Sequence, residues 1–142
     1  MPHICLAKLD LEIERCFPVL QELRPHLVKT DFVSQIRRQE QQYSYRLAYL
    51  EDSGDIKVIA GFRISECLAC GRFLYVDDLV TKASDRSKGY GDIMFDWLVE
   101  QAKLHSCQQL NLDSGVQRFG AHRFYMKKQM EITSHHFSMK IY

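Results

Sequence analysis

The sequence predicts an α/β (α+β) domain, a mixed and mostly antiparallel sheet of about six or seven strands flanked by about four helices. Three observations predict it. Between residues 43 and 81, three runs rich in β-branched and aromatic residues are joined by short turns, which reads as an antiparallel meander. From residue 73 onward, strand-like and helix-like runs alternate, which implies a mixed sheet with helices on both faces. The 142 residues, 46% hydrophobic and 11% aromatic, suffice for a single domain over 1–142 with a core of its own.

The elements follow in order. His3 to Ala7 reads as a short first strand. Asp10 is expected to cap the first helix, with Glu12 and Glu14 in the first turn, where the helix dipole favours anions. That helix runs to about Arg24, where Pro25 ends it. A second helix covers Val28 to Gln41, with Thr30-Asp31 near its start. Tyr43 to Glu51 alternates in strand fashion, and Asp52-Ser53-Gly54-Asp55 is a turn because Asp and Gly tolerate tight backbone angles. Ile56 to Ser65 and Phe73 to Thr81 are the next two strands. A helix then runs to about His105, with Ile93, Met94, Trp97 and Leu98 at helical spacing. A strand at Gln108 to Asp113, a helix from about Gln117 to Lys128 and a last strand at Ser134 to Ile141 complete the pattern.

Charge and cysteine usage narrow the function classes. A net charge of +1 gives no overall attraction to nucleic acid or anionic lipid, so neither is expected as a partner and any anion binding must be local. No run approaches the ~20 apolar residues of a membrane span. Met1-Pro2-His3 lacks a basic stretch followed by an apolar one, so no export signal is expected. The five cysteines are an odd number, which fits reduced thiols in a cytoplasm better than a disulfide framework. Cys67-Leu68-Ala69-Cys70 is a C-x-x-C without a second pair, and it reads as small residues near a hairpin turn closed by Gly71; no metal site is expected.

The stretch Arg86-Ser87-Lys88-Gly89-Tyr90-Gly91 stands between a strand-like and a helix-like run. Glycines at such a junction let the backbone approach a bulky anion, and the free N–H groups and positive end of the helix bind phosphate oxygens. Arg86 and Lys88 add charge at the same mouth. The hexapeptide alone is also compatible with an ordinary turn. It does not match G-x-x-x-x-G-K-[ST], because Lys88 precedes its glycine, nor G-x-G-x-x-G, because Met94 stands where a third glycine belongs.

An R/Q-x-x-G-x-G/A loop after a strand and before a long helix resembles the cofactor signature of the GNAT superfamily of N-acyltransferases. Leu110-Asn111-Leu112-Asp113-Ser114 is similar to that family's fifth strand, and Ala121-His122-Arg123-Phe124-Tyr125 to its "A-x-x-F-Y" helix. The likeness spans Phe73 to Tyr142 and is greatest to small bacterial acetyltransferases, including the aminoalkylphosphonate type. One departure is that Gln129-Met130 stands where the family closes this helix with a Gly-Phe or Gly-Tyr pair.

The resemblance implies acetyl-coenzyme A as co-substrate, bound where strands 4 and 5 splay apart, and direct transfer to a primary amine. Arg86, Ser87, Lys88, Gly89, Tyr90 and Gly91 would grip the pyrophosphate, and the backbone of Leu79, Val80 and Thr81 would pair with pantetheine amides like an added strand. Asn111 either bonds the pantetheine or ends the strand's ladder. Ala121 would let the cofactor lie close, and Tyr125, four residues on and on the same helix face, would protonate the departing thiolate. An alkylammonium of pKa ~10.4 must lose a proton before it attacks. Asp77 lies where the family often carries an acid, and Asp78, its neighbour, should point to the opposite face; Glu66 and His122 are alternatives. The acceptor is expected to be a small-molecule amine, and the resemblance implies a homodimer, with His135-His136-Phe137 as one contact. The rival reading is a non-catalytic acyl-CoA-binding sensor, which would keep the loop and dispense with Tyr125.

Overall fold

A computed structural model describes all 142 residues. Its elements run β1 (His3–Leu6), α1 (Asp10–Leu23), α2 (Lys29–Tyr43), β2 (Tyr45–Asp52), β3 (Asp55–Cys67), β4 (Gly71–Thr81), α3 (Tyr90–Leu104), β5 (Gln109–Leu112) and α4 (Phe119–Lys127). The chain divides into two compact units, Met1–Asn111 and Leu112–Tyr142.

The first unit carries a five-stranded sheet in the order β1-β2-β3-β4-β5, antiparallel from β1 to β4. Ile13, Cys16, Phe17 and Leu20 of α1 recur at helical spacing and are buried, so one stripe of the helix packs on the sheet. Phe17 meets Phe32 of α2 edge to face at 5.1 Å. Leu47, Tyr49 and Ile59 join this cluster. Ala48 and Leu50 point the other way and are equally buried, on the side where Phe62 meets Trp97 of α3 at 5.7 Å. The sheet is thus covered on both faces.

Several boundaries differ from the sequence expectation. Asp10 is the first helical residue of α1 rather than its cap; Leu9 holds the cap position, and Glu12 folds back to accept the Leu9 N–H at 2.9 Å. That bond, the Tyr49 hydroxyl at 2.8 Å and the Lys8 N–H hold the Glu12 carboxyl below its ordinary range. Tyr43 ends α2 instead of opening β2, because Ser44 takes a left-handed φ of 59° and stops the helix there. The helix count agrees at four. The strand count is five, not six or seven, because Ser134 to Ile141 forms no strand. A strand exists only where a neighbouring edge supplies its hydrogen bonds, and within one chain residues 131–142 are all exposed.

The second unit holds α4 and this C-terminal segment. The missing glycine after α4 is replaced in kind: Gln129 itself takes a left-handed φ of 65°. The N–H of Met130 then reaches back to the carbonyl of Tyr125 at 3.1 Å and closes the helix. Glutamine bears a steric cost there that glycine lacks. Gln129→Gly is expected to stabilise this cap by about 0.5–1 kcal/mol, read as roughly two- to five-fold slower hydrogen exchange of the Met130 amide.

Candidate active site

The Arg86–Gly91 loop begins after a single 3-10 turn, Ala83–Asp85. Ser87 and Gly89 both adopt left-handed angles, φ 65° and 87°. An added Cβ at Gly89 would meet nothing within 4 Å, so the loop is open on that side. Gly89 is the N-cap of α3 and offers no side chain to the helix, which leaves the N–H groups of the first turn pointing outward. Arg86, Ser87, Lys88 and Gly89 are exposed.

Ion pairs behind the loop hold it in place. Asp85 is buried and accepts from Lys88 at 3.0 Å and from Lys57 at 3.3 Å. Tyr90 leans on the β2–β3 turn, its hydroxyl donating to Asp52 at 2.8 Å. Lys82 and Lys57 both pair with Asp55 of the same turn. Lys88, expected as free positive charge for a phosphate, is therefore tied to Asp85, while Arg86 is the exposed cation at the mouth.

Lys88 and then Lys57 hold the Asp85 carboxyl below its usual range, so its contribution to stability is complete above an unfolded aspartate's pKa of about 3.9 and is lost as acid carries the pH down through the lower folded value. Urea midpoints measured from pH 5 to pH 2 should fall, and Asp85→Asn should flatten that fall.

β4 carries the second part of the site. Its register against β3 runs Gly61↔Asp78 and then Phe62↔Val76, which leaves Asp77 as the extra residue of a β-bulge. The bulge overturns the expectation that Asp77 and Asp78 face opposite sides. Both line one cavity of about 520 Å³, with Leu20, Arg24, Tyr45 and Arg63. Asp77 accepts from Arg63 Nε at 2.8 Å. Asp78 accepts from Arg24 Nε at 3.0 Å and from the buried Tyr45 hydroxyl at 2.8 Å. A second nitrogen of Arg24 donates to the Asp77 carbonyl at 2.9 Å, which satisfies an acceptor displaced from the ladder by the bulge. Burial, then Asp78, pushes the Tyr45 phenol well above its ordinary pKa.

Leu79, Val80 and Thr81 pair with Ala60, Ile59 and Val58 on one side. On the other side the Gln108 N–H meets the carbonyl of Arg72, at the far end of β4. The four residues of β5 span about 13 Å, too short to reach Leu79. The outer backbone edge at Leu79–Thr81 is therefore open to an added strand. Asn111 sits at the opposite end of β4, its amide 3.9 Å from the Cys70 sulfur. Cys67 and Cys70 approach to 3.3 Å in the β3–β4 turn, and no group of three or more potential metal ligands gathers there.

Ala121 and Tyr125 belong to the second unit, on α4. The Tyr125 ring packs edge to face on Phe124 at 5.7 Å. Burial raises its phenol pKa, and Arg118 opposes the shift, so the hydroxyl stays protonated at neutral pH. Sequence reasoning missed Arg24, Arg63 and Tyr45. The bulge that recruits them depends on pairing register, which no local pattern displays.

Comparisons with known proteins place the family and the fold. The model of the acetyltransferase (GNAT) family matches residues 8–130. The chain is 34% identical over 128 residues, 90% of each protein, to the "uncharacterized N-acetyltransferase YhdJ" of Bacillus subtilis. Its fold superposes on a transcriptional regulator from Bacillus halodurans with a TM-score of 0.85 at 17% identity, covering 98% of this chain and 100% of the other. It also superposes on the aminoglycoside N-acetyltransferase AAC(6')-Iy in complex with CoA, with a TM-score of 0.83 at 11% identity, covering 99% and 95%. The chain belongs to the GNAT family of N-acetyltransferases.

Proposed function

We propose that this chain transfers an acetyl group from acetyl-coenzyme A directly to the primary amine of a small molecule. The observation that carries the proposal is a carboxylate-lined cavity at a β4 bulge, on the same strand whose end leads into an uncapped helix N-terminus with two left-handed loop residues. The coenzyme supplies the activated acetyl thioester. Backbone N–H groups of Arg86 to Gly91, with the Arg86 guanidinium, bind its pyrophosphate. The open edge at Leu79–Thr81 takes the pantetheine amides.

In the cavity, Asp77 receives the ammonium proton, directly or through one water, and so frees the lone pair that attacks the thioester carbon. Arg63 fixes the orientation of that carboxylate, and Arg24 fixes the bulge behind it. Tyr125 donates to the sulfur as the thiolate leaves, stabilising charge that appears only in the transition state. The alternative of a covalent acetyl-enzyme gains nothing from Cys16, whose thiol burial pushes up to about 12. The mixed lining of two arginines and two aspartates suits an acceptor that carries an anionic group beside its amine. Aminoalkylphosphonates, which the Ala121–Tyr125 resemblance suggests, are one such class.

The test is release of free thiol from acetyl-coenzyme A across polyamines, amino acids, aminoalkylphosphonates, aminoglycosides and peptide amino termini. Saturable release with one acceptor class is expected. Calorimetric binding of the coenzyme with no release from any class would favour the sensor reading, and no binding at all would remove both.

A further inference from the structure

The β3–β4 hairpin ends on a pair of cysteines that acetyl transfer does not use. Cys67 and Gly71 form the last ladder pair of the hairpin, and Leu68, Ala69 and Cys70 make the turn between them. Gly71 takes a left-handed φ of 74°, which leads the chain into β4 directly after Cys70. The ladder thus holds both cysteines in one tight turn, and their sulfurs stand 3.3 Å apart as free thiols. A disulfide bond measures about 2.05 Å, so the sulfurs need approach by only about 1.3 Å to join.

The two thiols are not equivalent. The Cys70 N–H, then the Cys70 thiol, then the Ala69 N–H favour the Cys67 thiolate and hold its pKa below the ordinary thiol range. The bond to Cys67, then desolvation, raise the Cys70 thiol. Cys67 is exposed, and Leu68 beside it is 107% exposed, so a reagent can reach the Cys67 sulfur from solvent. Cys70 is half-buried against β5, with the Asn111 amide 3.9 Å from its sulfur. The pair stands about 30 Å along β4 from the open edge at Leu79–Thr81.

We propose that Cys67 and Cys70 form a thiol–disulfide exchange site that takes low-molecular-weight disulfides as its oxidant. The Cys67 thiolate attacks one sulfur of the small disulfide R–S–S–R. A mixed Cys67–S–S–R bond forms, and the first R–S⁻ leaves and takes a proton from solvent. Cys70 then releases its proton to solvent and attacks the Cys67 sulfur. The Cys67–Cys70 bond forms, and the second R–S⁻ leaves. Two electrons pass from the protein dithiol to the small disulfide, which ends as two thiols. A soft metal ion is the other ligand that a C-x-x-C turn suggests. Exchange needs two sulfurs and no more, whereas a tetrahedral zinc ion needs four ligands, and no third Cys, His, Asp or Glu gathers here. Two sulfurs on such an ion, with bonds of about 2.3 Å, stand about 3.8 Å apart, wider than this pair.

The full chain, reduced and then incubated with oxidised glutathione at neutral pH, should lose two hydrogens in intact mass. Alkylation after unfolding should then mark Cys5, Cys16 and Cys107 alone, and a peptide map should join Cys67 to Cys70. Cys70→Ser should stop at one glutathione adduct, on Cys67. Cys67→Ser should take up glutathione about ten-fold more slowly than Cys70→Ser. The unaltered chain carries the first two readouts, so they hold whether or not a variant folds. Five alkylatable cysteines after incubation, a bond to Cys107 instead, or an adduct on Cys70→Ser away from Cys67 overturns the proposal. So does a zinc or copper ion that copurifies with the pair and blocks the exchange. No readout requires coenzyme or turnover, so this result and the acetyl-transfer assignment stand or fall separately.

Discussion

Tyr125→Phe is expected to lower kcat about 100-fold while changing the acetyl-coenzyme A dissociation constant less than about two-fold. The substitution removes one oxygen and keeps the ring that packs on Phe124. On the proposed reaction, what is lost is a hydrogen bond, or a proton, delivered to a sulfur that becomes charged only as the thioester breaks. A hundred-fold loss corresponds to about 2.7 kcal/mol of transition-state stabilisation, within reach of one charge-assisted bond in a dry site. The pH profile adds a second readout. Burial holds the Tyr125 phenol protonated beyond its ordinary range, so kcat of the unaltered enzyme should stay level through neutrality and decline only in alkali above pH ~10. That decline should vanish in the Phe variant. An unchanged kcat would remove Tyr125 from the chemistry and leave another group, or solvent, as the acid.

The sequence displayed what local chemistry controls and concealed what pairing controls. Alternation and turn residues located β2, β3 and β4 to within a few residues, because Asp52–Asp55 carries its own backbone preference wherever it stands. The Arg86–Gly91 loop was legible for the same reason: glycine at a strand-to-helix junction announces a left-handed angle, and Gly89 has one. The bulge at Asp77 was not legible. Alternation counts residues along one strand, whereas a bulge is a mismatch between two. The inference that Asp77 and Asp78 face apart followed from regular pleating and failed where the pleat does. Arg24 was hidden similarly, since it reads as a helix-ending residue before Pro25 and meets β4 only across 53 positions of sequence. The strand expected at Ser134–Ile141 shows the opposite case, a local pattern that is present with no partner inside the chain to realise it.

Gly61→Ala should damage the acceptor side of the site and leave the coenzyme side alone. Gly61 lies opposite Asp78 in the register. A Cβ there would overlap the Tyr45 hydroxyl and stand 2.8 Å from Asp78 Oδ2. Tyr45 is buried at 3% exposure and joins the α1–α2 core cluster, so its ring cannot swing aside. Either β3 and β4 part, or the Tyr45–Asp78 hydrogen bond breaks and a carboxylate loses a partner. Overpacking of this kind costs about 1–3 kcal/mol, seen as a lower urea midpoint at unchanged slope. Because Asp77 shares the bulge, KM for the amine should rise about ten-fold or more, with coenzyme binding by calorimetry unaltered. The double variant Gly61→Ala/Tyr45→Phe removes the oxygen but keeps the ring carbon Cζ, which the new Cβ also overlaps, so it should recover only part of the stability and none of the amine KM, since Asp78 still lacks its phenol donor. A partial, non-additive recovery shows that the Tyr45 ring and its hydroxyl together form the obstacle. If Gly61→Ala folds with full stability and an ordinary amine KM, the cavity beneath the bulge does not hold the acceptor, and the amine must approach from elsewhere on the sheet.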